Sequence, residues 1–168
     1  MKIIEVMKDL KLIEKKMQAN REKISKYSAI VSTERPTFPT ENDQRKEVTS
    51  LIQANIDLTT EYIRKKCLIN KTNDLVNVEI EGKNYTISEL LLLKRKLANE
   101  MIQTYNSLSD HQAQMRLRNA PAIDGKPAQV VRMYEEKTRN EGMAFWQELY
   151  HTIDSRLEVV NAMTDIIE

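Results

Sequence analysis

Only one cysteine, Cys67, occurs among the 168 residues, so no disulfide can form within the chain. The two histidines, His111 and His151, are too few to complete a zinc site around that thiol, and neither sits in an HExxH, HxH or Cys/His spacing. No metal or cofactor is therefore expected. Three glycines, Gly82, Gly125 and Gly142, give a phosphate-cradling loop little to work with. GxGxxG, GxxxxGK[ST] and GxSxG are all missing. Neither sign of charge dominates: 26 Lys and Arg face 25 Asp and Glu, a net charge of +1. Phosphate neutralisation usually demands a clear basic excess, so nucleic acid is not an expected partner. Long apolar runs are lacking too. No window approaches the roughly 18 apolar residues of a membrane span. The opening MKIIEVMKDLKLIEKK is interrupted by Glu5, Lys8, Asp9 and Lys11 before it reaches signal-peptide length.

What is present is helix-forming. Charged residues make up 30% of the chain and aromatics 5%, a profile of long solvent-washed helices rather than of a sandwich or an α/β enzyme. The length suits a single domain over residues 1–168 with a real core. From about 2 to 30, Ile3, Val6, Leu10, Ile13, Met17, Asn20, Ile24, Tyr27 and Val31 alternate steps of three and four, a heptad seam with one polar break at Asn20. Such a seam requires a facing helix. Asn20 is either a tolerated polar residue or a register-fixing one. STERPTFPTE, from Ser32 to Glu41, carries two prolines and reads as a connection, with Phe38 either packing on the end of a bundle or offering a contact point to a neighbour.

A second helix is predicted over about 42–69. One apolar stripe runs through Val48, Leu51, Leu58, Tyr62 and Ile69, and an offset stripe through Ile52, Ile56, Ile63 and Cys67. Two stripes imply burial against two neighbours, which makes this the deepest helix and Cys67 a small core residue. The period then changes. Val76, Val78 and Ile80 alternate with polar residues, and Gly82 is followed by Tyr85 and Ile87, predicting a β-hairpin over about 75–87. Thr86 and Glu89 match a capping box ahead of a Leu-rich helix predicted over about 88–118, faced by Leu90, Leu97, Met101, Leu108 and Met115. NAPAIDGKPA, from Asn119 to Ala128, is a second connection with a turn at Asp124-Gly125. A last helix is predicted over about 129–167, with Gly142 as a point of interruption. Its seam is Met143, Trp146, Tyr150, Ile153, Leu157, Val160, Thr164 and Ile167.

The run INKTN followed by VNVEIEGKNYTISELLLLKRKL resembles the septicolysin-like family of small helical bacterial and phage proteins. The positions that carry the resemblance are Ile69, Asn70, Thr72, Asn73, Gly82, Thr86, Glu89 and Leu90, and Leu149–Asp165 is similar to that family's closing helix. The resemblance implies a helical, oligomer-forming protein and transfers no catalytic residue. Pore formation, which the family's name suggests, is not carried over, because no stretch here is suited to insertion. Asn70, Thr72, Asn73 and Asp74 also have a local reading, as residues that satisfy the backbone at a helix end and start the hairpin.

No constellation here calls for chemistry. Glu135 with Glu136, and Asp154 with Glu158, lie on heavily charged helices and read as solvated faces. Arg64, Lys65, Lys66 and Lys71 precede the hairpin, and Lys94, Arg95 and Lys96 follow it. Arg116, Arg118, Lys126, Arg132 and Arg139 surround the second connection and form a candidate anion or ligand surface. The expected fold is mainly α, an antiparallel four-helix bundle or coiled coil with one small β-hairpin. The seams on the first and last helices exceed what one small bundle needs to bury. A homo-oligomer is therefore expected, with Ile3, Leu10, Met17, Trp146, Ile153 and Val160 as interface candidates. The expected function is non-enzymatic, structural or assembly, in the cytoplasm or, for a phage-encoded chain, in a virion with other particle proteins. The alternative is an oligomeric sponge for nucleotides or anions.

Overall fold

The N-terminal seam finds its partner within the chain. In the computed structural model, which describes residues 1–167, α1 (Ile3–Tyr27) and α2 (Glu41–Leu75) form an antiparallel helical hairpin. Ile3, Val6, Leu10 and Ile13 of α1 are buried, with Val6 and Leu10 packed on Ile69 of α2 and flanked by Tyr62 and Ile166. Each such side chain contributes roughly 1.5–3 kcal/mol on burial. Polar rungs mark the register: Lys65 Nζ lies 2.6 Å from Asp9, the Tyr62 hydroxyl donates to Glu14 at 2.9 Å, and Asn20 Nδ2 donates to Asn55 Oδ1 at 2.9 Å. Glu14 holds the Tyr62 hydroxyl above its ordinary pKa through that hydrogen bond. The polar break in the α1 seam thus meets a polar break in α2, which penalises any slipped pairing.

The connection between these helices is clasped rather than loose. Buried Gln44 donates from Nε2 to the Tyr27 carbonyl at 2.8 Å and accepts the Thr37 N–H at 3.0 Å. Tyr27 and Phe38 meet edge to face, 5.1 Å between centroids. Thr40 caps α2 by accepting the Asp43 N–H. The clasp ends α1 at Tyr27, three residues short of the expected boundary, and leaves Ile30 and Val31 exposed.

α2 runs past its predicted end at 69 and takes in the whole INKTND run. The side chains there do not break the helix because they are used within it. Thr72 donates its hydroxyl to the Leu68 carbonyl at 2.9 Å and accepts the Ile167 N–H at 2.9 Å, and Thr72 and Asn73 are buried on the face of Ile69. The two chain ends pair beside this point. Ile3 N–H donates to the Thr164 carbonyl, Ile166 N–H to the Met1 carbonyl, and Lys2 Nζ reaches Asp165 at 2.7 Å. Lys2 holds the Asp165 carboxyl below its ordinary pKa.

The hairpin is β1 (Asn77–Ile80) and β2 (Lys83–Thr86), antiparallel with Val78 opposite Tyr85 and Ile80 opposite Lys83. Its two turn residues, Glu81 and Gly82, have φ of 50° and 75°, as a tight primed turn demands. The capping box forms as expected: Thr86 Oγ1 accepts the Glu89 N–H and Glu89 Oε2 accepts the Thr86 N–H.

The third predicted helix is not continuous. It divides into α3 (Ile87–Leu92), a π-helical turn (Leu93–Leu97), α4 (Ala98–Asn106) and α5 (His111–Leu117). The π-turn inserts one extra residue into the helical repeat. An unbroken helix would return to the Leu90 face at Leu97; here Ala98 takes that buried place and Leu97 is exposed. The break between α4 and α5 falls at SLSD, where Ser107 bonds the Gln103 carbonyl and Ser109 accepts the His111 N–H. Such side chains compete with helical backbone bonds.

The last helix, α6, is Glu136–Met163, so residues 129–135 lie outside it. Gly142 does not interrupt α6. A Cβ there would stand 2.3 Å from the Tyr105 ring, so the glycine lets α6 approach α4. Gly142→Ala gains helix propensity of about 1 kcal/mol but overpacks the contact, which costs typically 1–3 kcal/mol. The expected outcome is a lower Tm than wild type, with the loss reversed in a Tyr105→Ala background when both backgrounds are compared by thermal denaturation.

The chain is mainly helical with a two-strand sheet. Where the sequence predicts a single domain, contacts gather into two compact units. One is Met1–Val76 with the residues from Val159 onward, and the other is Asn77–Glu158. No helix among the described residues is long and apolar enough to cross a membrane.

Candidate functional site

Folding divides the residues expected at an interface. Ile3, Leu10 and Ile153 are buried inside the chain and are not available to a second copy. Met17, Trp146 and Val160 are half-buried. The α1 seam packs on α2, which is why Leu10 leaves the surface.

Apolar surface lies instead on α2. Its first stripe faces α1, but Ile52, Ile56 and Ile63 are 47%, 54% and 57% exposed, and Cys67 is exposed with them. The expectation that α2 is the deepest helix, with Cys67 in the core, is corrected here. The stripes lie about 120° apart at 3.6 residues per turn, and within the chain only one is covered.

The basic positions around the second connection also separate. Arg132 places Nε 3.0 Å and Nη2 2.9 Å from Asp110 Oδ2 and lies 3.7 Å from Glu136. This pair holds the Asp110 carboxyl below its ordinary pKa and the Arg132 guanidinium above its own, each mainly through the hydrogen bond to the other. Arg139 donates to Glu136 at 3.0 Å and to Asn106 at 3.2 Å, while its buried Nε has no hydrogen-bond partner among the described residues. Glu136 therefore serves both arginines and neutralises much of the surface they were expected to form.

Arg116, Arg118 and Lys126 are exposed and make no ion pair among the described residues. Arg118 borders an open depression of about 460 Å³ with His111, Gln114 and Gln129. Lys126 closes the turn predicted at Asp124-Gly125, where both residues have positive φ and Ile123 and Lys126 exchange backbone hydrogen bonds.

One carboxylate of each predicted pair is engaged. Asp154 pairs with Lys94, which rises from the π-turn and lies 5.8 Å from the centroid of the Tyr150 ring. Glu136 is held by Arg132 and Arg139. Lys65, from the basic run before the hairpin, is engaged by Asp9 and Glu61. Among the described residues, no group of three His, Cys, Asp or Glu is placed to hold a metal ion.

Comparison with protein-family models and with curated proteins gives no match. A solved structure from Corynebacterium diphtheriae, described as a functionally unknown conserved protein, matches with a TM-score of 0.60 at 14% identity, over 99% of each chain. The likeness is one of fold. It brings no activity with it.

Sequence alone singled out Thr72 only as a helix-end residue, and it did not single out Gln44. Gln44 and Thr72 each hold a connection through a buried side chain. Thr72 had a signal, since it lies three residues after buried Ile69 on the same helical face. Gln44 had none, because its partners Tyr27 and Thr37 belong to a different helix and to a loop.

Proposed function

We propose that this chain is a non-enzymatic assembly protein that forms a homo-oligomer, and that its product is a set of interfaces rather than a reaction. The observation that carries this is the exposed stripe of Ile52, Ile56 and Ile63 along a helix of 35 residues. Regularly spaced isoleucines on a solvent-facing helix favour burial against another helix. The ion pairs of Asp154, Asp110 and Glu136 with Lys94, Arg132 and Arg139 support a structural role for those groups. The resemblance at Ile69–Leu93 supports the same reading and extends it to a particle-associated or virion role in the phage case, with other particle proteins as further partners. Light scattering at micromolar concentration tests it: a mass at least twice the 19.6 kDa chain is expected, and a monomer overturns the proposal.

The second reading, anion or nucleotide binding, is favoured by the exposed Arg118 on the rim of the depression at His111, with Arg116 and Lys126 also exposed. A ligand that binds the folded state raises Tm, by roughly 2.7 kcal/mol of stabilisation at a hundredfold excess over Kd. A screen of phosphate and nucleotides that leaves Tm unchanged sinks this reading.

A further inference from the structure

We infer that the exposed face of α2 is an isologous interface, on which two copies of α2 pair antiparallel about a two-fold axis beside the Thr59–Thr60 midpoint. This rests on the assembly reading above and names its contact surface.

The evidence is an order of side chains that complements itself when the helix is reversed. Ile56 and Ile63 lie equally far from the midpoint, and so do Ile52 and Cys67. Farther out the same holds for Thr49 with Asn70, then for Arg45 with Asp74. At 100° per residue, these positions fall within about 50° of one line down the helix. Every one of them is exposed. Around a two-fold axis, each residue meets its counterpart from the second copy at the same height. Isoleucine then meets isoleucine at the centre, isoleucine meets the small apolar cysteine next, and polar meets polar beyond; at the ends Arg45, which also lies 3.8 Å from Glu41 of its own helix, meets Asp74.

Charges on one flank fit the same axis. Asp57 lies within about two residue rises, roughly 3 Å along the axis, of Arg64 of the second copy, and symmetry makes that contact twice. One like-charge approach, Lys46 to Lys71 of the second copy, falls on the outer rim, where solvent and salt screen it. A parallel pairing would instead set Arg45 on Arg45 and Asp74 on Asp74. An unrelated partner would place no demand on α2 to match itself when reversed. Self-complementarity of this kind is what a closed two-fold interface requires.

Cys67 supplies the test. In the antiparallel pair the two Cys67 residues stand about 22 Å apart, beyond disulfide reach, whereas position 52 faces Cys67 of the second copy. Full-length Ile52→Cys, oxidised with copper-phenanthroline, is expected to run as a covalent dimer on a non-reducing gel, while wild type stays uncrosslinked. Ile56→Glu sets carboxylates against Ile63 at the centre, and because residue 56 is exposed in the folded chain, its helix content should be unchanged. Its mass by light scattering is expected to fall to that of a monomer. If wild type is oligomeric but Ile52→Cys does not crosslink, or Ile56→Glu keeps its mass, this interface is wrong and the assembly reading survives. Crosslinking of wild type through Cys67 overturns the antiparallel arrangement. A monomeric wild type overturns both.

Discussion

Ile153→Ala is expected to destabilise the chain itself, by about 2–5 kcal/mol, to the same extent at every protein concentration. Ile153 has 0% exposure, so truncation leaves a cavity rather than a thinner interface. Ile56→Ala, with the same atoms removed from a 54% exposed position, should change the unfolding free energy of the monomer by no more than about 0.5 kcal/mol. Chemical denaturation of both variants over a range of concentrations separates the two cases. Equal losses would mean that residue 56 is covered within the chain. A concentration-dependent loss at residue 153 would return it to an interface.

Thr72→Val is expected to cost about 1–3 kcal/mol, although valine has nearly the shape of threonine. The Thr72 hydroxyl is the acceptor for the Ile167 N–H and bonds the Leu68 carbonyl, at a position with 0% exposure. The valine leaves the amide at 167 without its acceptor. Thr72→Ser keeps the hydroxyl and should retain most of the stability. Hydrogen exchange gives the local readout: the amide of residue 167 should lose protection in Thr72→Val and keep it in Thr72→Ser. If both variants exchange alike, the hydroxyl is not what holds the C-terminal segment.

The reach of sequence patterns over this molecule follows their physical range. The capping box at Thr86 and Glu89 was legible because both of its hydrogen bonds close within three residues. The turn at Asp124-Gly125 was legible because Asp and Gly tolerate the positive φ it needs. The α1 seam was legible as a seam, since periodicity reports that a face will be buried. Periodicity does not report what buries it, and for Ile3 and Leu10 the answer was this same chain. The π-turn at Leu93–Leu97 was not legible at all: LLLLKRKL favours helix throughout, and the shift from Leu97 to Ala98 depends on packing outside that window.

The sequence by itself determined a mainly helical chain with one hairpin, the cap at Thr86, the turn at Asp124-Gly125, and the absence of the familiar catalytic and nucleotide-binding motifs. Each depends on backbone preferences and spacings that act over a few residues. Tertiary structure alone decided which of the two stripes of α2 is covered, that Thr72 and Asp165 secure the chain ends, and that Arg132 and Arg139 are held by Asp110 and Glu136. Those outcomes depend on which segments meet. The two faces of α2 are almost equally apolar as written, and they differ only because α1 lies against one of them.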